Sequence, residues 1–402
     1  MNKYILTNVP IPEQEDRTAL IGALFKQDRL EAISCYAPDT DNLNNIYVAR
    51  VDSIAENIHA FFVRISKDEL CFVPYEEVKN AVFTKKLSKK EIAVGDELLV
   101  QVNRLPLKTK QATATTKISL AGHFVAVTYG DFQVNVSKKI SGDRKKELRE
   151  FLTDNRERFH DLSLIARTNC QFAKSDEILA EAAKLSDLLF KIVETAPAKT
   201  LYSCLYHTPP RYIQDILNSY EGEIDEVITD LSSVYEQASA AIVNGLAPEM
   251  RPNLRFYEDP YPLYNLFSLK KEIRDILSPK VWLKSGAYLI IEPTEALTVI
   301  DVNSGKNIRK DKGDYYLKVN LEAAKEIARQ LRLRNISGIC IVDFIDLADD
   351  KQRGELIRSM KEYCREDHVI TTVVDMTKLH LMEITRKKTD PTFYEQIFHN
   401  FS

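Results

Sequence analysis

The chain has 402 residues, which is enough for two or three domains with sizeable cores. Hydrophobic residues make up 44% and charged residues 28%, a composition typical of folded globular proteins that argues against extended disorder. The formal net charge of −4 excludes a uniformly basic surface, so any nucleic acid would have to bind to a local patch.

The cysteines and the N-terminus indicate the compartment. The six cysteines show neither a C-x-x-C spacing nor a pairing pattern, which favours reduced thiols and predicts no zinc site. The first residues lack the apolar region of a signal peptide, and no apolar run approaches the length of a membrane span. We therefore expect a cytoplasmic protein without a membrane partner.

The first part of the chain is rich in predicted strands. Residues 1–40 predict a small β-structure that pairs with strands elsewhere, and from Asn45 about five short alternating strands follow within some 75 residues. This spacing favours a small barrel, and the OB-fold, which binds single strands, is the best candidate. Phe62 and Phe72 would stack on bases in such a barrel, although aromatic residues on alternating strands usually fill the core.

Two short stretches after the barrel have phosphate-binding chemistry. Lys108, Lys110 and Lys117 lie among small hydroxyl residues, which suits phosphate contacts and equally suits an exposed edge strand. Arg167 and Thr168 end a predicted strand, and a guanidinium beside a hydroxyl suits a terminal phosphate. For an isolated Arg-Thr pair, a surface salt bridge is the default interpretation.

The most informative stretch lies between Leu297 and Asp346. A β-branched run ends in Asp301 and Asn303, which alternation places on one face, and a predicted helix leads to a second buried-type strand that ends in Asp343. Two strands joined by one helix are usually parallel neighbours, so both aspartates should lie at the same sheet edge. Single aspartates at strand ends often cap helices or turns, but this pair with an amide favours a metal site. All candidate ligands are oxygens, so Mg²⁺ is favoured over zinc.

Long runs in this region resemble the catalytic core of the ribonuclease E and ribonuclease G family. The resemblance rests on Glu292–Ser304, on Asn320–Arg334 with the letters NLEAAKEIARQLRLR, and on Val342–Asp346 with the letters VDFID. A fourth run, Met376–Lys388, resembles the family's Thr-x-Leu-Gly-Leu-x-Glu-Ile-Thr-Arg-Lys-Arg segment, with His380 in place of the glycine. Its basic residues suit phosphate contacts or a solvated surface: Lys378, Arg386, Lys387 and Lys388.

The resemblance implies an α+β multidomain fold. In it, an OB-fold barrel is inserted in a ribonuclease H-like subdomain and is followed by a five-prime sensor region and a DNase I-like α/β catalytic subdomain. We assign residues 1–40 and 207–265 to the ribonuclease H-like subdomain, 41–122 to the OB-fold RNA-binding domain, 123–206 to the sensor region and 266–402 to the catalytic subdomain. The zinc link of longer relatives does not follow in this chain, so we expect no zinc-linked tetramer, and a homodimer through the catalytic core stays open.

The resemblance also implies roles for residues. Asp301, Asn303 and Asp343 would be catalytic. Asp301 and Asp343 would hold Mg²⁺, or Mn²⁺ as a substitute, and Asp346 would support these two aspartates without contacting the ion. The matched RNA-binding positions are Phe62, Phe72 and Lys110, and the matched five-prime phosphate sensor is Arg167 with Thr168.

The implied activity is endonucleolytic cleavage of single-stranded, A/U-rich RNA in RNA processing and decay, leaving 5′-phosphate and 3′-hydroxyl ends. The alternative is an inactive RNA-binding protein of the same fold. Three departures from the family's pattern favour it: Val48 and Ala49 at the barrel entry, where many members have lysine and glycine, residues 169–174 in place of a glycine-containing sensor loop, and the missing zinc link. A DNA phosphodiesterase of the same core topology ranks last. The intact Asp, Asn, Asp trio argues for catalysis, because crowded carboxylates repel one another without a metal.

Overall fold

A computed structural model describes residues 1–12, 14–36, 42–89, 92–104, 111–160, 162–171, 173–219, 222–246, 250–305, 312–347 and 349–399. The chain divides into two compact units. The first comprises Met1–Pro38, Ile224–Glu236 and Pro252–Ser402, and the second comprises Asp39–Glu223 and Gln237–Arg251. The four-part domain division predicted from the resemblance, with its bounds, stays a prediction.

The strands in chain order are β1 Asn2–Ile11, β2 Gln14–Lys26, β3 Arg29–Tyr36, β4 Ile46–Ala55, β5 Ala60–Arg64, β6 Leu70–Pro74, β7 Phe83–Lys85, β8 Glu97–Arg104, β9 Ala112–Thr115, β10 Ser119–Ala121, β11 Val125–Thr128, β12 Val134–Val136, β13 Ser163–Ala166, β14 Cys204–Tyr206, β15 Glu226–Thr229, β16 Asn253–Phe256, β17 Lys280–Trp282, β18 Tyr288–Pro293, β19 Leu297–Asn303, β20 Gly338–Asp343, β21 Thr371–Met376 and β22 Leu381–Arg386. The α-helices are α1 Gly142–Asp154, α2 Ser175–Thr195, α3 Arg211–Asn218, α4 Ser232–Gly245, α5 Leu263–Leu266, α6 Leu269–Leu277, α7 Lys312–Leu333, α8 Asp350–Arg365 and α9 Phe393–His399.

The second unit contains the predicted barrel. Strands β4, β5, β6, β9 and β8 pair in a closed circle, because β8 also pairs with β4. Alternate residues of these strands, such as Phe61 and Val63, are fully buried and fill the barrel. The α+β class with an OB-like barrel is therefore confirmed.

A smaller sheet follows the barrel in the same unit. Its strand order is β10-β11-β13-β12, and α1 and α2 contribute Leu148, Leu152, Ile178 and Leu189 to its core. Three consecutive backbone N–H groups at the start of β11 donate to the Glu181 carboxylate of α2, at 2.6 to 2.9 Å from His123, Phe124 and Val125. These hydrogen bonds fix the helix to the end of the sheet.

The first unit contains two sheets. In one, with the order β16-β15-β1-β2-β3, the N-terminal hairpin joins β15 through a parallel pairing of β1. The other has the order β17-β18-β19-β20-β22-β21. Helices α7 and α8 pack on one face of this second sheet, where they bury Ile300, Val342, Ile327 and Leu356. Its opposite face carries the side chains of the candidate site.

Within the described ranges, no helix combines the length and apolarity needed to cross a membrane.

Candidate functional site

The predicted aspartate pair lies on neighbouring strands. Alternation along β19 buries Thr298, Ile300 and Val302 against the helices, so Asp301 and Asn303 point to the open face. Strand β20 is the parallel neighbour of β19, and Asp343 is the register partner of Asp301. Adjacent strands lie about 4.8 Å apart, so the two carboxylates are direct neighbours across the sheet. The prediction that the two strands are parallel neighbours is confirmed.

Hydrogen bonding and charge organise these side chains. The Asn303 amide Nδ2 donates to Asp301 Oδ2 at 2.7 Å, which holds the carboxylate in one orientation. Partial burial, followed by the like charges of Asp301 and Asp346, raises the pKa of Asp343. The arrangement is therefore electrostatically unfavourable without a counter-charge, and a cation between the carboxylates would relieve it.

Asp346 follows β20 in an exposed loop, and its side chain is 93% exposed. It lies close enough to raise the pKa of Asp343, and its Oδ1 is 3.7 Å from Nδ1 of His380. His380 sits in the β21–β22 turn with φ +64°, a left-handed conformation that favours glycine. The glycine of the resembling motif stands at this position, and the motif comparison did not predict that its replacement, a histidine, contacts Asp346.

The donor set fits magnesium. Among the described residues, no group of three or more His, Cys, Asp or Glu side chains is arranged to hold a metal ion. Mg²⁺ commonly uses only one or two carboxylates and completes its shell with water and substrate phosphate. Asp301 and Asp343 supply such a pair of oxygen ligands on an open face, and they do not fit a structural zinc site, which needs four protein ligands.

The predicted RNA-binding phenylalanines lie together on the barrel. Phe62 and Phe72 are register partners on β5 and β6, and their ring centroids are 5.9 Å apart in an edge-to-face arrangement. Both rings are half-buried, whereas their neighbours Phe61 and Val73 are fully buried inside the barrel. The rings therefore lie on the outer surface and not in the core. Lys108 and Lys110 lie outside the described residues.

Arg167 and Thr168 follow β13, as the sequence predicts. The Arg167 guanidinium donates through Nη1 to the carbonyl of Gly122 and to Asn218 Oδ1, the latter at 2.6 Å. The Thr168 hydroxyl is 3.0 Å from the Ser137 hydroxyl. The guanidinium of Arg167 and the hydroxyl of Thr168 are thus each held by partners within the chain. Their role in phosphate sensing stays a prediction.

One basic residue of the C-terminal run is not available to a phosphate. Arg386 is 5% exposed, and its Nε donates to Asp367 Oδ2 at 2.7 Å. Its Nη1 also donates to Asn335 Oδ1 at 2.7 Å and to the carbonyl of Ile336 at 3.1 Å. The phosphate contact suggested for Arg386 is therefore wrong, because its guanidinium is buried and bonded to these three groups of the chain. Three lysines of that run remain exposed: Lys378, Lys387 and Lys388.

The chain is similar to known proteins over most of its length. The model of the Ribonuclease E/G family matches residues 119–389. Ribonuclease G of Escherichia coli is 32% identical over 359 residues, which cover 86% of this chain and 73% of that protein. Ribonuclease G of Haemophilus influenzae is 31% identical over 362 residues, covering 86% and 72%. Ribonuclease E of Nostoc sp. is 30% identical over 386 residues, covering 93% and 55%. The chain belongs to the ribonuclease E/G family.

Proposed function

We propose that the chain is a magnesium-dependent endoribonuclease that hydrolyses single-stranded, A/U-rich RNA and leaves 5′-phosphate and 3′-hydroxyl ends. The observation that carries the proposal is the register pairing of Asp301 with Asp343, with Asn303 hydrogen-bonded to Asp301. The relatives are named ribonucleases, which agrees with RNA as the substrate. The proposal includes a role in RNA processing and decay in the cytoplasm. The free cysteines agree with this compartment, because thiols stay reduced there.

The reaction divides between the cation and the chain. The chemistry that Mg²⁺ supplies in such a site is polarisation of the scissile phosphate and a lowered pKa of a bound water. Asp301 and Asp343 hold the ion, with Mn²⁺ as a substitute. Asn303 orients Asp301 through its amide, which the hydrogen bond between them supports, or holds the phosphate of the RNA. Asp346 adds negative charge that strengthens cation binding.

The second unit supplies substrate binding in this proposal. The exposed faces of Phe62 and Phe72 stack on bases, which every single-stranded RNA offers regardless of sequence. Lys110 contacts the phosphate backbone of the RNA. Arg167 and Thr168 bind a five-prime monophosphate through a guanidinium and a hydroxyl. The edge-to-face geometry of the two rings leaves each one a separate surface for a base.

The test is cleavage of a 5′-monophosphorylated A/U-rich oligonucleotide by the natural chain and by Asp301→Asn and Asp343→Asn. We expect internal cuts only with Mg²⁺ or Mn²⁺, products with 5′-phosphate ends, and a loss of rate of at least about 100-fold in both variants. Glu292→Gln, an exposed change on the adjacent strand β18, is the matched control. Binding without cleavage by the natural chain would make it an inactive RNA-binding relative and refute the proposal.

A further inference from the structure

An aromatic and cationic cluster lies on the same open sheet face as the aspartates. It consists of Lys280 and Trp282 on β17 and Tyr288 on β18. The indole and phenol rings are 5.3 Å apart at 60°, and the Lys280 ammonium lies 4.0 Å from the centroid of the indole ring and 3.9 Å from that of the phenol ring. These distances are typical of strong cation–π contacts, so the three side chains form one preassembled surface.

Strand register connects this cluster to the aspartates. Trp282 is the partner of Tyr288, which is in turn the partner of Asn303. One row further along, Lys280 pairs with Ile290, and Ile290 pairs with Asp301. Residues paired across strands present their side chains on the same face. Tyr288 therefore lies one strand spacing, about 5 Å, from β19, and Lys280 and Trp282 lie two spacings, about 10 Å, from it, all on the open side.

The exposure of Trp282 is unusual for its chemistry. Trp282 is the only tryptophan of the chain and is 65% exposed, although an indole is among the largest apolar groups available to a core. In the part of the chain that the structure describes, Lys280 forms no ion pair with a carboxylate. The aromatic rings suit stacking on the face of a nucleobase. The ammonium, which has no carboxylate partner, suits the negative charge of the phosphate.

We propose that Lys280, Trp282 and Tyr288 bind a nucleotide of the RNA beside the cleavage site, with a base stacked on the indole and a phosphate near the ammonium. The proposal rests on the proposed function, since it takes RNA as the strand that passes the aspartates. It assigns a second base-stacking surface, in the unit that carries Asp301, separate from Phe62 and Phe72.

The single tryptophan makes the test direct. The Asp301→Asn variant in Mg²⁺ keeps the RNA intact, and a short A/U-rich single strand is titrated while the indole emission and the anisotropy of a label on the RNA are recorded in parallel. We expect the emission to be quenched with the same midpoint as the anisotropy change, and the indole to become protected from acrylamide. An abasic ribose phosphate oligomer of equal length should leave the emission unchanged.

Substitutions supply the second measurement. Trp282→Ala should weaken RNA binding by at least about fivefold, and Trp282→Phe should retain most of the affinity, because stacking needs an aromatic face. Tyr261→Ala is the matched control, since Tyr261 is an aromatic residue that is 55% exposed elsewhere in the same unit. Unchanged thermal unfolding of Trp282→Ala would exclude a folding defect as the cause.

The outcomes separate this proposal from the function on which it rests. RNA that binds by anisotropy without quenching the indole, or an abasic oligomer that quenches it equally, overturns the stacking proposal and leaves the nuclease intact. Shielding of the indole that rises with protein concentration in the absence of RNA also overturns it, because a second copy of the chain then covers the cluster. Absence of RNA binding in the anisotropy measurement overturns both proposals.

Discussion

Replacing Arg386 by methionine should destabilise the unit that carries the aspartate pair. The side chains of Arg386 and Asp367 are 4% and 5% exposed, and two guanidinium nitrogens meet the carboxylate at 2.7 and 3.3 Å. Removing one partner of a buried ion pair leaves the other charge without compensation and costs about 3 to 5 kcal/mol. For a domain of about 200 residues, this corresponds to a fall in Tm of about 6 to 20 °C.

The assay is thermal and urea unfolding of the variant against Lys387→Met, which removes an exposed positive charge from the neighbouring position. The control should change the free energy of unfolding by less than about 0.5 kcal/mol. Combining Arg386→Met with Asp367→Asn should recover part of the loss, because the second change removes the uncompensated buried charge. An Arg386→Met variant as stable as the control, but unable to bind RNA, would refute the structural role and restore a phosphate contact.

Three further predictions address the rest of the chain. Phe62→Ala and Phe72→Ala should each weaken RNA binding by about 1 to 3 kcal/mol in an anisotropy titration while leaving the unfolding transition of the barrel in place, since both rings lie on its surface. Asp343→Asn should stabilise the metal-free protein at neutral pH by less than about 1 kcal/mol, because the fold raises the pKa of this carboxyl. That gain should vanish below the unfolded pKa of about 4, where both states are protonated, and unfolding at several pH values tests it. Burial raises the pKa of the Cys170 thiol to about 12, so a thiol reagent should label Cys170 only on unfolding and label the half-buried Cys204 earlier.

Local patterns were sufficient to predict that Asp301 and Asp343 lie on neighbouring parallel strands. The strand, helix and strand around Asp301 and Asp343 each show a clear period, and the parallel pairing follows from the single helix that connects the two strands. The spacing of the strands likewise predicts the closed barrel, because closing a sheet of short strands leaves no edge strand unpaired. Within β5, the alternation that buries Phe61 also places Phe62 outside, although the sequence alone did not decide which phenylalanine faces inward.

Other features depend on contacts between distant segments, which no local pattern reports. A basic run at the end of the chain gives no sign that Arg386 is buried, because its partner Asp367 lies 19 positions away in sequence. The three backbone N–H groups that bind Glu181 lie 56 to 58 positions from it. The contact of His380 with Asp346 follows from the pairing of β20 with β22, which sequence periodicity does not specify.

The central claim is that Asp301 and Asp343 together hold a divalent cation. Titration of the chain with Mn²⁺, followed by the loss of the free-ion electron paramagnetic resonance signal, measures this without RNA or turnover. We expect a saturable site that Mg²⁺ displaces and that both Asp301→Asn and Asp343→Asn weaken by at least about tenfold, with Glu292→Gln binding as the natural chain does. Mn²⁺ binding that is unchanged in both aspartate variants would contradict the assignment of the metal to this pair.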